Sequence, residues 1–376
     1  MNNKIYYLCY YDTDNNGCQD RKTVVAAVNK LRYIFKALKA SKHDVEILSV
    51  ASTQKLGIVS SKRIIEENGF TLHFPAALGG NSAMRLIDLW WRRFWLAYNL
   101  FFSIPKKSTV VVYHSTTFMS LLKFFKKIKK LKLVLELEEI YGDVINSKAL
   151  RKKELNLVAN ADAFIFPTEL LNKKLNPSGK PMVIIYGTYQ VEPQMVEKWT
   201  DGRVHVVYAG TFDPCKGGAV AAIAAATFLP ENYHIHICGF GNEDDTRSIK
   251  KVVDDTAVHS RAKVTFHGLL KGREYIEFIQ RCHIGLSTQD PSAAFNATSF
   301  PSKILSYMAN GLEVVSIDIP AIREASISTN IHFYGKQTPE QIAKAITAVD
   351  LSHPHNNRAL IASLSEKFIN DLPFIL

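Results

Sequence analysis

Short apolar runs alternate with longer amphipathic stretches along almost the whole chain, and this alternation restricts the possible folds more than any other feature. It is the signature of βαβ units laid on parallel sheets. Residues 5–10 read as a buried strand, 12–22 as a polar loop, and 24–40 as a helix whose apolar positions Val25, Val28, Leu31, Ile34, Phe35 and Leu38 recur at spacings of three and four. Residues 44–50 supply the next strand, and further strands are expected at 109–113, 133–137, 163–166 and 182–185. A polar segment containing Pro193 and Gly202 then breaks the pattern. Beyond it, strands at 204–208, 234–238, 264–266, 284–287 and 313–317 alternate with helices at 217–227, 249–258, 275–281 and 300–309. The expectation is an α/β protein of two Rossmann-like, doubly wound domains. Its divisions are 1–190, a linker at 191–203, a second domain at 204–355, and an amphipathic helical tail at 356–376 that packs back on the first domain. A length of 376 residues suits two domains at ~100–200 residues each.

Apolar residues make up 47% of the chain and charged residues 22%, which excludes a disordered or low-complexity protein. The five cysteines are odd in number, scattered and without a CxxC pair, so neither a disulfide framework nor a cysteine-based zinc site is expected. The first ten residues run into a strand with no basic leader, and no secretory signal is expected. The most lipophilic window, 85–102, is interrupted by Asp88, Arg92, Arg93 and Asn99, so no membrane-spanning helix is expected either. A cytoplasmic chain follows. The net charge of +11 comes entirely from residues 1–200, where 30 basic residues face 17 acidic ones; residues 201–376 carry 16 against 18. A basic first half calls for an anionic partner: a membrane surface, a nucleic acid or a phosphorylated acceptor.

Three glycine-rich junctions in the second half follow strands, where ligands sit in open α/β sheets. The first, YAGTFDPCKGG at 208–218, leads through Lys216 into an alanine-rich helix, and a cation beside open helix amides suits phosphate. The second, CGFGN at 238–242, is either a close backbone approach to a ligand or an ordinary turn. The third, SFPSKILSYMANG at 299–311, places Pro301 at a helix start, Lys303 in the first turn and Gly311 at the end. A cation in a first turn opposes the helix dipole, so an anion held by Lys303 and the amides near Pro301 and Ser302 explains it better than a plain helix does.

This order of segments, with VTFHGLL at 264–270, RCHIGLS at 281–287 and FPSKILSYMANGLEVVS at 300–316, resembles the donor-binding domain of retaining GT-B glycosyltransferases, close to glycosyltransferase family four. In the first half EEIY at 138–141, IFPTELL at 165–171 and IIYGTYQ at 184–190 resemble the same family, of the bacterial capsular and exopolysaccharide type. The resemblance implies two domains facing across a cleft and no resident cofactor. It also implies a nucleotide diphosphate sugar as substrate, UDP- or GDP-linked. Gly210 and Lys216 match the family's diphosphate-holding positions, while Thr211 stands where an Arg is usual. The family's paired glutamates fall at Thr298 and Ser306; Ser306 would then meet a ribose hydroxyl more weakly. Gly239, Gly241, Gly268 and Leu269 fall in loops that face the nucleotide, and 289–298 in the loop facing the sugar.

In the first half the resemblance assigns the loop 12–21 to the acceptor. Asn16 and Gly17 are its turn formers, and Arg21 either meets a phosphate or stays solvated. His114 follows a strand at the ligand-facing end and is either an acid/base or structural. Glu138 and Glu139 stand where carboxylates can orient an acceptor hydroxyl or stabilise oxocarbenium character. No HxH, DxD or HExxH metal-binding arrangement is expected, since Glu243-Asp244-Asp245 falls in an expected surface turn, and metal-independent transfer is expected.

The basic segment 121–131 has Leu121, Phe125 and Ile128 on one helical face and Lys123, Lys126, Lys127 and Lys130 opposite. It reads as a crossover helix whose lysines are either merely solvated or attracted to a membrane surface, with Trp90, Trp91 and Trp95 nearby. No nucleic-acid-binding module is recognisable. The expected activity is transfer of a sugar to a lipid-linked saccharide acceptor at the inner membrane surface during surface polysaccharide assembly. The alternatives are a non-catalytic membrane-bound assembly partner and a nucleotide-sugar epimerase.

Overall fold

The computed structural model describes residues 4–13, 20–65, 69–214, 218–291 and 299–376. The chain divides into two compact units. The first comprises Met1–Pro167, Leu171–Ile185 and Glu366–Leu376. Its eight-stranded sheet runs, edge to edge, Met182–Ile184, Ala163–Phe166, Lys132–Glu136, Thr109–Tyr113, Lys4–Cys9, Asp44–Ser49, Thr71–Phe74 and Lys62–Ile65. Every neighbouring pair is parallel except the last. Parallel strands covered on both faces must be apolar on both, which is why Val110, Val111 and Val112 are all buried in succession. The terminal helix Asn357–Asp371 enters this unit at Glu366, where Phe368 stacks on Tyr33 with centroids 6.0 Å apart and Lys132 donates to the Leu376 carbonyl.

The second unit comprises Thr168–Leu170 and Tyr186–Ser365. Its sheet is wholly parallel, ordered Lys263–Gly268, Tyr233–Phe240, Val204–Thr211, Ile284–Ser287, Glu313–Ile317 and Ile331–Tyr334. From Val204–Thr211 the chain first builds outward to one edge. It then returns to Ile284–Ser287 and builds to the other. The reversal leaves a crevice at the carboxyl ends of Val204–Thr211 and Ile284–Ser287, because the crossover helices on the two sides diverge there. The doubly wound α/β architecture expected of the sequence is present in this unit.

Three local expectations are corrected. Glu243-Asp244-Asp245 is the first turn of helix Glu243–His259, because the Asn242 side chain accepts the Asp245 amide and three carboxylates complement the positive end of the dipole. Pro301 is the cap residue before Ser302–Ala309 rather than its first turn. In helix Met119–Lys129 the buried stripe is Met119, Leu122, Phe125 and Lys129, so Ile128 is exposed. Lys129 occupies a core-facing position because its ammonium donates to the Phe101 and Ile104 carbonyls while its stem packs. Among the described residues no helix is long and apolar enough to cross a membrane.

The cap is testable. Asn242→Ala leaves the Asp245 amide without its partner and should cost about 1 kcal/mol in urea unfolding; an unchanged midpoint would mean that the acidic turn alone holds the helix start.

Candidate active site

Strand Val204–Thr211 ends in Tyr208, Ala209, Gly210 and Thr211, and its neighbour Tyr233–Phe240 runs in register so that Gly239 lies beside Gly210. A Cβ at Gly239 would stand 1.9 Å from the Gly210 carbonyl oxygen, so only glycine lets the two strand ends approach. Gly241 follows at once, and Gly268 ends the next strand with a left-handed φ of 67°, leading to the exposed Leu269.

Helix Ser302–Ala309 crosses beneath this edge. Tyr307 is fully buried, its ring so close to Gly285 that a Cβ there would fall 2.3 Å from it, and its hydroxyl accepts the Ala209 amide at 2.8 Å. The helix is therefore pinned to the two central strands. Lys303, one turn earlier on the same face, is carried to the strand ends. Its ammonium lies 4.3 Å from the centroid of the Tyr208 ring, and a Cβ at Gly210 would stand 3.0 Å from it. Tyr208 is itself fixed: its hydroxyl donates to the Thr211 carbonyl at 2.9 Å and accepts the Gly218 amide at 3.1 Å. Burial pushes its phenol up to about 12.

Lys303 has no hydrogen-bond or ion-pair partner among the described residues, only the face of an aromatic ring. Burial accordingly pulls its ammonium down to about 8 from the usual 10.5. No side chain caps the helix at Pro301, so the amides beyond it stay open to an anion. Ser306 faces the Tyr275 hydroxyl at 3.1 Å. At the end of Ile284–Ser287, the Ser287 Oγ and Gln289 Nε2 are buried with no partner among the described residues. Buried polar atoms left this way cost free energy that a ligand can recover. Lys216 and Thr298 lie outside the described residues.

In the first unit the expected residues have separate surroundings. His114 is buried, stacks on Tyr141 and has Nδ1 3.2 Å from the Glu139 carbonyl and Nε2 3.2 Å from Glu154. Burial lowers it to about 4, so at neutral pH it is uncharged and positions the 139–142 turn. Glu138 pairs with Lys30 at 2.6 Å, and both Glu138 and Glu139 are half-buried. Glu136, which the sequence reading passed over, is fully buried, accepts from Tyr7 and is pushed up by burial. Arg21 is only 2% exposed. One guanidinium nitrogen donates to the Pro75 carbonyl at 2.7 Å, while Nε and Nη1 are buried without a partner among the described residues. Asn16 and Gly17 lie outside the described residues. Of the lysine set, Lys126 pairs with Asp162 at 2.6 Å and Lys123 bonds Asn156, so these two are neither merely solvated nor free for a membrane surface; Lys127 and Lys130 are exposed.

Some contributors were not singled out beforehand. Tyr307 is signalled only by standing four residues after Lys303, and Tyr208 only by its place in the first glycine junction. His234-Ile235-His236 is an HxH arrangement on one face of strand Tyr233–Phe240, which corrects the expectation that the chain has none.

Residues 203–349 match the family model of group 1 glycosyl transferases. The whole chain is similar in fold to solved structures at low identity. An α,α-trehalose 6-phosphate synthase from Burkholderia multivorans superposes with a TM-score of 0.66 at 10% identity, covering 98% of this chain and 96% of that one. Anabaena HepE in complex with UDP and glucose gives 0.63 at 14%, covering 98% and 99%. A UDP-forming trehalose-phosphate synthase from Burkholderia xenovorans in complex with glucose-6-phosphate gives 0.62 at 10%, covering 98% and 99%. The protein is a glycosyltransferase of the GT-B fold. No curated protein matches the sequence.

The enzyme's unpartnered lysine makes a stability prediction. Lys303→Met removes a half-buried charge that no described residue compensates and keeps an aliphatic stem, so the melting temperature should hold or rise. A clear drop would reveal an anionic partner within the protein.

Proposed function

We propose that this enzyme transfers a glycosyl group, with retention and without a metal, from a nucleotide diphosphate sugar to a lipid-linked saccharide in surface polysaccharide assembly. The observation that carries the donor half is Lys303: a cation held against an aromatic face, beside two glycine strand ends and an uncapped helix start, with no counter-ion among the described residues. A diphosphate supplies the missing charge. The matched group 1 segment and the fold likeness to HepE, whose complex contains UDP and glucose, support the same reading.

In this reaction the bond between the anomeric carbon and the departing diphosphate oxygen breaks, and a bond to the acceptor oxygen forms on the same face. The acceptor proton passes to the leaving phosphate oxygen. Lys303, Lys216 and the helix amides at Ser302 and Lys303 stabilise the charge that develops on the diphosphate. Gly210, Thr211, Gly239, Gly241, Gly268 and Leu269 line the nucleotide, and Ser306 reaches a ribose hydroxyl. On the acceptor side Arg21 offers Nε and Nη1 to a phosphate, with Asn16 and Gly17 in the same loop, and Glu138 and Glu139 orient the attacking hydroxyl.

Membrane attachment is supported by an exposed aromatic surface. Helix Ser82–Tyr98 and the following turn Asn99–Ser103 expose Trp90, Trp91, Phe94, Tyr98, Phe101 and Phe102, the last 68% accessible. The adjoining helix adds Phe124 and Ile128, and the exposed Lys106, Lys107, Lys127 and Lys130 stand around them. An apolar face bordered by lysines fits an anionic lipid surface, where each lysine contributes about 1 kcal/mol.

Nucleoside diphosphates should raise the melting temperature without added metal. Lys303→Met should weaken their binding by about 1.5–3 kcal/mol, roughly ten- to a hundredfold in Kd. The sign of the pH effect follows from the lowered ammonium: the protonated, binding form dominates at neutral pH and is lost as pH rises through about 8. Wild-type affinity should therefore fall on the alkaline side and that of Lys303→Met should stay flat. Stabilisation by no nucleotide would favour the non-catalytic assembly partner.

The membrane half has its own test. Phe94→Ser with Phe102→Ser should reduce co-sedimentation with anionic vesicles regardless of salt, and Lys127→Ala with Lys130→Ala should reduce it most at low ionic strength. Activity on a water-soluble sugar phosphate with no vesicle binding would overturn the lipid-linked acceptor.

A further inference from the structure

We propose that His205, His234 and His236 form a binding site for a divalent transition metal ion, Zn(II) by preference, at the edge of the second unit's sheet where the strands begin. Strands Val204–Thr211 and Tyr233–Phe240 are parallel neighbours with His205 opposite His234. The period of two along a strand puts His236 on the same face as His234. One ring nitrogen from each of the three lies within 4.8 Å of those of the other two, and all three residues are buried. Imidazole nitrogens in such a set suit Zn(II), Cu(II), Ni(II) and Co(II).

The groups behind the rings argue for a built site. The Asp201 carboxylate lies 2.9 Å from His205 Nε2, so it takes that N–H and leaves Nδ1 as a lone pair directed at His236 Nε2, 2.8 Å away. His236 Nδ1 is 3.0 Å from His267 Nε2, and His234 Nε2 is 2.8 Å from the Thr265 hydroxyl. Each of the three rings thus has a polar partner on the nitrogen that would face away from the ion. This is the outer arrangement that orients ligating histidines. Trp199 closes over the cluster, its ring 4.4 Å from that of His205 and 5.1 Å from that of His236.

Without an ion, one proton is shared between His205 and His236. An ion would take its place once His236 carries its proton on Nδ1 toward His267 and His267 carries its own on Nδ1. The two facing nitrogens would then part to about 3.3 Å, the tetrahedral separation for Zn–N bonds of ~2.0–2.1 Å. No proton leaves the cluster. The site lies at the opposite end of these strands from Gly210 and Gly239, so it is separate from the donor machinery. It would tie the two strands to the segment carrying Trp199 and Asp201.

A second group, Glu313 with His332 and His355, differs in kind. Its carboxylate accepts from His332 at 2.9 Å and from the ring and amide of His355 at 2.7 Å each, and these bonds already satisfy it.

The test uses the full chain after treatment with a chelator, titrated with Zn(II) and with Co(II). One equivalent should bind, with a rise in melting temperature and the visible absorption of four-coordinate Co(II). Asp201→Ala, at an exposed position, should weaken binding ~10–100-fold, and His236→Gln should abolish it. Should His236→Gln fail to fold, Asp201→Ala decides. Absence of uptake, uptake unchanged by Asp201→Ala, or uptake lost only in Glu313→Gln would each overturn the proposal.

Discussion

The candidate site in the second unit depends on one buried phenol. Tyr307 fills the space that Gly285 leaves open and accepts the Ala209 amide, and through these two contacts the helix Ser302–Ala309 is held to the central strands. Lys303 is placed by that attachment, one turn away on the same face, and it arrives at the strand ends with only the Tyr208 ring to meet. A charge in that position destabilises the fold slightly unless an anion meets it. Its depressed ammonium and the open helix start record the same imbalance.

The first unit shows the opposite economy. Its carboxylates and histidine are largely spoken for: Glu138 by Lys30, Glu136 by Tyr7, and His114 by its neighbours in the 139–142 turn. Among the described residues, the Arg21 Nε and Nη1 and one Glu136 oxygen are left unpartnered, and the aromatic face of Ser82–Tyr98 is exposed. Lys303 in the second unit and two guanidinium nitrogens of Arg21 in the first thus lack a hydrogen-bond partner among the described residues.

Much of this architecture could be read in the chain. Buried parallel strands are apolar on both faces and so appear as continuous runs, as at Val110–Val112 and Val206–Tyr208. Lys303 is legible because a first-turn cation contradicts the helix dipole, and Gly210 only through the family resemblance. What could not be read depended on contacts between distant segments. The pinning of Tyr307 against Gly285 joins different elements, and nothing local announces it. Helix Met119–Lys129 was misread by part of a turn because a lysine occupies a core position, its charge answered by two carbonyls far away in sequence. The histidines went unnoticed because His205 and His236 meet only through the pairing of their strands.

The most direct measurement is the titration of Lys303 itself, followed by nuclear magnetic resonance of its labelled side chain with and without a nucleoside diphosphate. The account predicts that the free ammonium loses its proton near 8, below the ordinary 10.5, and that the ligand moves this midpoint upward. A lysine that titrates in its ordinary range and does not respond to the nucleotide would contradict it.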